Sequence, residues 1–182
     1  MPSVPLAINL SAANFRHPDL LPGIRKTLAD LQLHPDFVVI ELTEGVLMND
    51  VEESIATLQA LKDMGIYLSV DDFGTGYSSL NYLKRFPLDE LKIDRSFVKD
   101  IITDTNDAAI TAAIIGLAQN LKLSVVAEGV ETTEQADFLL RRGCNTMQGF
   151  LFAKPMPQKE FEDLLLAGMD MGDMQAIFMV ES

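Results

Sequence analysis

The chain has 182 residues and 1 cysteine, and its 27 acidic residues outnumber its 14 basic residues, which gives a formal net charge of −13. This length predicts one domain with a sizeable core, and a single cysteine excludes an internal disulfide and favours a reducing cytosol. The acidic charge disfavours a nucleic-acid polymer or an anionic membrane as partner, because both bind basic surfaces, but it is compatible with a small phosphorylated ligand bridged by metal cations.

Hydrophobic periodicity predicts strands that alternate with helices. The strands are expected at residues 5–11, 37–44, 66–70, 90–94, 123–128 and 144–148, and the helices at 18–33, 50–64, 78–85, 106–121, 132–142 and 157–167. Thr132 and Gln135 have the spacing of a capping box. Residues 168–182 are rich in Met and give no firm pattern.

Six of these strands carry a polar residue at the C-terminal end, namely Asn9, Glu41, Asp71, Lys92, Glu128 and Gln148. Active sites of (β/α)8 barrels are built at that face from many strand ends, whereas a doubly wound sheet binds ligands at one switch point. The pattern therefore favours a barrel. A complete barrel usually needs roughly 250 residues, so about six βα units predict an incomplete one.

The chain is organised around residues 69–79, in which Asp71 and Asp72 follow an apolar strand. Neighbouring side chains on a strand point to opposite faces, so the chain must turn between or just after these residues, and Gly74 and Gly76 permit that turn. Two adjacent carboxylates repel each other unless a cation lies between them. Capping of the next helix by one aspartate is the alternative, but the motif as a whole favours the cation site.

These motifs resemble the EAL domain of bacterial cyclic di-GMP phosphodiesterases. The matching segments lie at residues 8–11, 41–44, 71–80, 91–94, 126–132 and 148–150. The resemblance implies a TIM-like (β/α)8 barrel in which two divalent metals, Mg²⁺ or Mn²⁺, help to cleave cyclic di-GMP to linear pGpG. The EAL domain is expected over residues 1–167, about three quarters of a barrel, followed by a separate Met-rich tail at 168–182.

The Glu-Ala-Leu motif that names the family does not precede Asn9. In the family that motif lies upstream of the Asn strand, and the missing part carries one metal ligand and a substrate-binding arginine. The chain is therefore expected to be either a piece cut from a longer protein or a truncated member of the family, with weak or no activity as it stands. The alternative is a degenerate domain that acts as a cyclic di-GMP receptor or a regulatory interaction module.

The resemblance assigns metal binding to five residues. Asn9, Glu41 and Asp71 match the ligands of the first metal, and Asp72 and Glu128 match those of the second, with Asp71 bridging. Their hard oxygen donors suit Mg²⁺ or Mn²⁺ better than Zn²⁺.

The remaining site predictions concern catalysis, substrate contacts and loop support. Lys92 is expected to position the nucleophilic water rather than to be a solvated lysine, and Glu128 to share the catalytic role. Ser11, Glu131 and Gln148 are expected to bind substrate or its waters, and Glu44 to stabilise the loop at 72–79. Asp94 is left open between a structural role and a ligand role, whereas Cys144, His17 and His34 are expected to have no chemical role.

Cyclic di-GMP is the expected partner. The strands that the barrel lacks would leave sheet edges with unpaired backbone groups, so a homodimer or a higher oligomer is expected, with self-covering by the Met-rich tail as the alternative. Residues 1–10 carry no basic residue ahead of their apolar stretch, so they are not expected to be a signal peptide, and no apolar run in the sequence is long enough to span a bilayer. A cytoplasmic domain is therefore expected, from a parent that could carry GGDEF or sensory domains and could be membrane-tethered through them.

Overall fold

A computed structural model describes residues 4–76 and 80–167, together with the backbone of 175–177. The chain divides into two compact units, an N-terminal unit over Ser3–Leu91 and a C-terminal unit over Lys92–Ser182. The division falls within the strand Glu90–Ile93.

The N-terminal unit is built on three parallel strands, β1 (Leu6–Asn9), β2 (Val38–Thr43) and β3 (Tyr67–Phe73). β2 pairs with β1 on one side and with β3 on the other. Parallel neighbours need a crossover connection, which the intervening helices supply. This order confirms the predicted alternation of strands and helices.

The helices of this unit are α1 (Ala12–Phe15), α2 (Leu20–Asp30), α3 (Glu44–Met48), α4 (Val51–Asp63) and α5 (Leu80–Leu83), with a 3-10 turn at Pro35–Phe37. Asp50 caps α4, because its Oδ1 accepts a hydrogen bond from the backbone N–H of Glu53 at 3.2 Å. The helix ends before Gly65, whose φ of +89° suits a residue without a Cβ.

The core of the N-terminal unit lies between α4 and the sheet. Leu58 and Leu61 of α4 are fully buried, as are Ile40, Leu42 and Leu68 of the strands. Burial of one such side chain contributes roughly 1.5–3 kcal/mol. The strands that carry the predicted site residues are therefore fixed from one side by packing.

The C-terminal unit contains three further parallel strands, β5 (Ser124–Glu128), β6 (Thr146–Gln148) and β7 (Gln175–Ile177), paired in that order. The strand at the division is β4 (Glu90–Ile93), and the helices are α6 (Arg95–Lys99), α7 (Thr105–Leu121), α8 (Thr133–Arg141) and α9 (Gln158–Ala167). The Thr132–Gln135 capping box is confirmed, with both of its reciprocal hydrogen bonds present.

Four elements differ from the sequence predictions. The short helices α1, α3 and α6 follow strand ends directly and are too short to show a helical repeat, so periodicity did not predict them. β7 lies within the Met-rich segment for which no structure was predicted. The other residues of that tail, 168–174 and 178–182, lie outside the described part of the chain.

β1 is exposed along its whole length. All four of its residues are exposed, including the apolar Leu6 and Ile8, and none of the residues of α2 is fully buried. Among the described strands, β1 pairs only with β2. One edge of the N-terminal unit is therefore apolar and uncovered by described residues.

Candidate active site

The ends of β1, β2 and β3 bring predicted site residues of the N-terminal unit onto one face. Asn9 lies opposite Glu41 in the register of β1 and β2, and Thr43 lies opposite Asp71 in the register of β2 and β3. Because side chains two residues apart on a strand share a face, Asn9, Glu41 and Asp71 point to the same side of the sheet. Glu41 is buried there, with 7% of its surface exposed.

Asp71 and Asp72 are brought together by a local change in the backbone. Asp72 has a φ of +54°, a left-handed value that Asp tolerates better than most residues. The backbone N–H of Asp72 donates to Asp71 Oδ1 at 3.0 Å. One carboxylate oxygen of each residue lies within 4.8 Å of the other, despite the alternation of a regular strand. The predicted turn therefore begins at Asp72 itself, within the last residues of β3.

Glu44 lies beneath the loop that follows β3. Its buried carboxylate accepts a hydrogen bond from the Gly74 backbone N–H at 3.4 Å. A Cβ on Gly76 would lie 2.8 Å from Glu44 Oε1, so a side chain at this position would require the carboxylate to shift. Glu44 contacts the loop it was predicted to support, although residues 77–79 of that loop lie outside the described part of the chain.

Ser11 has a structural role at a helix terminus. It is the N-cap of α1, and its Oγ accepts a hydrogen bond from the backbone N–H of Asn14 at 3.2 Å. Asp94 likewise caps α6, accepting from the Ser96 backbone N–H at 2.9 Å.

In the C-terminal unit, Lys92 and Glu128 form a buried ion pair. Lys92 Nζ lies 2.7 Å from Glu128 Oε1, and the two side chains are 5% and 16% exposed. An ion pair withdrawn from water depends on good geometry to offset desolvation. Lys92 is therefore held at a strand end by the carboxylate predicted to share its role.

A cleft of about 220 Å³ opens beside this pair and is lined by three of the predicted residues, Glu128, Glu131 and Gln148. Gln148 lies opposite Glu128 in the register of β5 and β6, which explains why residues distant in sequence meet here. Phe150, which is half-exposed, and Pro155 add apolar surface.

Arg95 also lines the cleft, and sequence reasoning missed it. Its Nη2 lies 2.6 Å from Glu131 Oε1. The spacing of Lys92 and Arg95, which equals that of Glu128 and Glu131, was the only signal in the sequence for this pairing.

Three residues were expected to have no chemical role, and the structure gives the surroundings of each. Cys144 is buried, and desolvation raises the pKa of its thiol to about 12. His17 and His34 are exposed, and each lies beside an aspartate two residues on. Among the described helices, none combines the length and hydrophobicity that crossing a bilayer requires.

Comparisons with known proteins agree on one family. The EAL domain model matches residues 1–155. The bifunctional diguanylate cyclase/cyclic di-GMP phosphodiesterase MucR of Pseudomonas aeruginosa is 49% identical over 85% of this chain and 23% of its own length. The cyclic di-GMP phosphodiesterase NbdA of the same species is 46% identical over 89% of this chain and 21% of its own length. The chain thus spans less than a quarter of these curated relatives.

Solved structures give the same result. The MucR phosphodiesterase in complex with c-di-GMP superposes with a TM-score of 0.84 at 48% identity, covering 86% of this chain and 64% of that one. Klebsiella pneumoniae BlrP1 in a manganese/cyclic di-GMP complex at pH 9.0 superposes with a TM-score of 0.76 at 38% identity, covering 84% of this chain and 39% of that one.

Proposed function

The chain belongs to the EAL domain family and forms part of the TIM-like barrel that is typical of that family. We therefore propose that it is the phosphodiesterase domain of a cyclic di-GMP hydrolase. The reaction is the addition of water to one phosphorus, with cleavage of one P–O bond to give linear pGpG. The arrangement of Asn9, Glu41, Asp71 and Asp72 at neighbouring strand ends is the observation that carries the proposal.

The donor set fits two divalent cations. An amide oxygen and carboxylates are hard ligands that suit Mg²⁺ or Mn²⁺, and the proximity of the Asp71 and Asp72 carboxylates is unfavourable without a cation. We assign Asn9, Glu41 and Asp71 to one ion and Asp71, Asp72 and Glu128 to the other. When bound, the ions would supply positive charge that stabilises the oxygens of the phosphoryl group during displacement.

Lys92 and Glu128 would orient the attacking water. The Lys92 ammonium has three donors and no acceptor, and its bond to Glu128 fixes where the remaining donors point. A water that accepts a hydrogen bond from Lys92 Nζ uses one lone pair for that bond and keeps its second lone pair for attack on the phosphorus. Burial of the pair excludes other waters from this position.

The cleft would hold the ring and sugar of the nucleotide, away from the reacting phosphate. Gln148 offers an amide with donors and acceptors, and Glu131 accepts hydrogen bonds from ring or sugar donors. Ser11 is proposed as a further substrate contact from the N-terminal unit, in addition to its observed capping bond.

The polypeptide by itself is proposed to be weakly active, because the given sequence lacks the Glu-Ala-Leu motif and with it one metal ligand. Loss of a ligand or its support commonly costs about 10–100-fold in metal affinity or activity. We further propose that a second copy of the chain covers the exposed edge of β1. By analogy with MucR, the whole protein would carry further catalytic or sensory parts.

The test is an Asp71→Asn substitution, assayed with Mg²⁺ and with Mn²⁺ by chromatographic separation of cyclic di-GMP and pGpG over hours. Because Asp71 would hold both ions, its substitution should lower turnover by about 100-fold. Asp63→Asn, on the exposed surface of α4, is the matched control and should leave turnover unchanged. Equal turnover of the Asp71→Asn and unsubstituted chains would refute the metal assignment.

The absent motif favours a second candidate, a receptor that binds cyclic di-GMP without hydrolysing it. The same experiment separates the two functions when a binding titration is added. Tight binding with no pGpG formed, in either metal, would assign the chain to the receptor class.

A further inference from the structure

Two ion pairs join the β4–α6 segment to the end of β5 and to the loop that follows it. Lys92 and Arg95 are three residues apart, and so are their partners Glu128 and Glu131. The nitrogen–oxygen distances are 2.7 Å for the Lys92 pair and 2.6 Å for the Arg95 pair. The first pair is buried and the second is exposed, with 57% of Arg95 and 41% of Glu131 accessible.

The Arg95 side chain occupies space that Gly129 provides. Gly129 has a φ of +68°, and a Cβ at this position would lie 2.2 Å from Arg95 Cγ. The arginine stem therefore lies directly against the backbone between Glu128 and Glu131. Only a glycine permits this approach.

Helix formation does not explain an arginine at this position. Arg95 is the first residue of α6, where the helix dipole disfavours a cation. Exposed ion pairs also add little to stability. The Arg95–Glu131 pair is better explained by its effect on the cleft, because the side chains of both residues line that cleft.

Both the backbone and the carboxylate of Glu131 are held by neighbouring side chains. Its backbone N–H donates to Gln135 Oε1 at 2.7 Å, within the capping network of α8, and Arg95 holds its carboxylate. Without Arg95 the two side-chain torsions nearest the backbone would be free to turn the carboxylate into solvent. With Arg95, the carboxylate is presented to the same cavity as Glu128 and Gln148.

We infer that Arg95 is a positioning residue, which holds the Glu131 carboxylate at the wall of the cleft for contact with the nucleotide. The inference rests on the proposed function, since it takes cyclic di-GMP as the occupant of the cleft. Arg95 acts through Glu131 rather than on the ligand. Substitution of either residue should therefore have the same effect, and substitution of both should add nothing.

The test is a double-mutant cycle of Arg95→Gln and Glu131→Gln. Glutamine keeps the Cβ and Cγ that pack against Gly129 and removes only the charged end. The probe is the bis-phosphorothioate analogue of cyclic di-GMP, chosen to resist hydrolysis, titrated calorimetrically with Mn²⁺ present. Each single variant should raise Kd about tenfold, and the double variant no further. Arg95→Lys should restore part of the affinity.

Arg142→Gln is the matched control. It removes the same charge from the same unit, at a guanidinium that lies 4.0 Å from the ring of Phe138 and does not line the cleft. Its Kd should equal that of the unsubstituted chain. Unchanged binding by Arg95→Gln would overturn the inference. A multiplicative loss of about 100-fold in the double variant would also do so, since Arg95 would then contact the ligand itself.

A crystal structure of Arg95→Gln without nucleotide gives a second, independent reading. The Glu131 carboxylate should have turned away from the cleft. If it keeps its position, Arg95 does not position it, and the inference fails whether or not the nucleotide binds. Failure of the unsubstituted chain to bind the analogue would instead contradict the proposed function, and this structure would still decide the role of Arg95.

Discussion

At the scale of single residues, burial distinguishes ion pairs of similar geometry. Lys62 Nζ lies 2.8 Å from Asp89 Oδ1, and Asp89 Oδ2 also accepts from the Leu68 backbone N–H at 2.8 Å. That pair is partly exposed and connects the end of α4 to the residue before β4, while the bond from Leu68 ties the same carboxylate to β3. The more deeply buried Lys92–Glu128 pair lies instead at strand ends, where barrel enzymes place their chemistry.

Substitution of Lys92 by alanine should lower turnover by about 10²–10⁴-fold while leaving nucleotide affinity largely intact, because a water-positioning group acts on the reaction and not on binding. The rate is measured at saturating cyclic di-GMP and the affinity by titration. Glu128 loses its ion pair with Lys92, so the melting temperature should fall as well. The assays are therefore run well below that temperature.

Lys99→Ala, at the exposed end of α6, is the control and should change neither the turnover nor the nucleotide affinity. Lost affinity with normal turnover at saturation would contradict the role given to Lys92.

Cys144 should resist alkylation in the folded protein. The thiolate is the reactive form, and a pKa of about 12 leaves very little of it at pH 8. The expected result is slow modification by iodoacetamide at pH 8 under native conditions and fast modification in urea, measured by mass spectrometry. Equal rates in both conditions would show that the thiol is accessible and ionised.

At the scale of secondary-structure elements, the glycines that follow helix ends differ from the glycine inside a helix. The former help to end the helix, and the latter lowers its stability. Gly65 and Gly143 follow α4 and α8 with φ values of +89° and +83°, which a side chain disfavours. Gly116 lies inside α7 with ordinary helical geometry, and nothing lies within 4 Å of a Cβ placed there. The same substitution should therefore have opposite effects at the two kinds of site.

Gly116→Ala should raise the free energy of unfolding by about 1 kcal/mol, because alanine reduces the backbone entropy lost in a helix interior. Gly143→Ala should lower it by about 1–2 kcal/mol through the left-handed backbone. Urea titration followed by circular dichroism measures both. A destabilised Gly116→Ala variant would indicate that a partner or a second copy packs closely against this face of α7.

At the scale of the whole molecule, the exposed β1 edge is the feature that an isolated domain must accommodate. Its exposed apolar residues lie on an edge that no described strand pairs, and such edges of open sheets invite pairing with another strand. The acidic net charge of −13 opposes close association of copies, so the apolar edge must outweigh that repulsion for a dimer to form.

If the proposed dimer forms through β1, Leu6→Lys should convert it to a monomer, since a lysine on an edge strand opposes strand addition. Light scattering coupled to size-exclusion chromatography gives the mass of each species. Leu166→Lys on α9 is matched in exposure, 61% against 62%, and should leave the dimer intact. A monomeric unsubstituted chain would show that a second copy does not cover the edge.

Much of the fold was predictable because its signals are local. The apolar runs of β2, β3 and β5, the helical repeat of α4 and the Thr132–Gln135 capping box each involve residues a few positions apart. Asn9, Glu41 and Asp71 could be assigned to the same end of a sheet, because parallel strands place their C-terminal ends together. Their common side of the sheet followed only from the strand register.

Only the tertiary structure decided how the remaining groups meet. Hydrophobic periodicity does not predict the left-handed φ of Asp72, which brings two adjacent carboxylates together. It also does not predict the pairing of Arg95 with Glu131, which are 36 residues apart. Nor does it predict the exposure of β1, because the sequence of β1 has the apolar pattern of an ordinary buried strand. The physical reason is that sequence patterns report which face of an element is apolar, whereas strand register, backbone close approach and the presence of a neighbour determine what that face contacts.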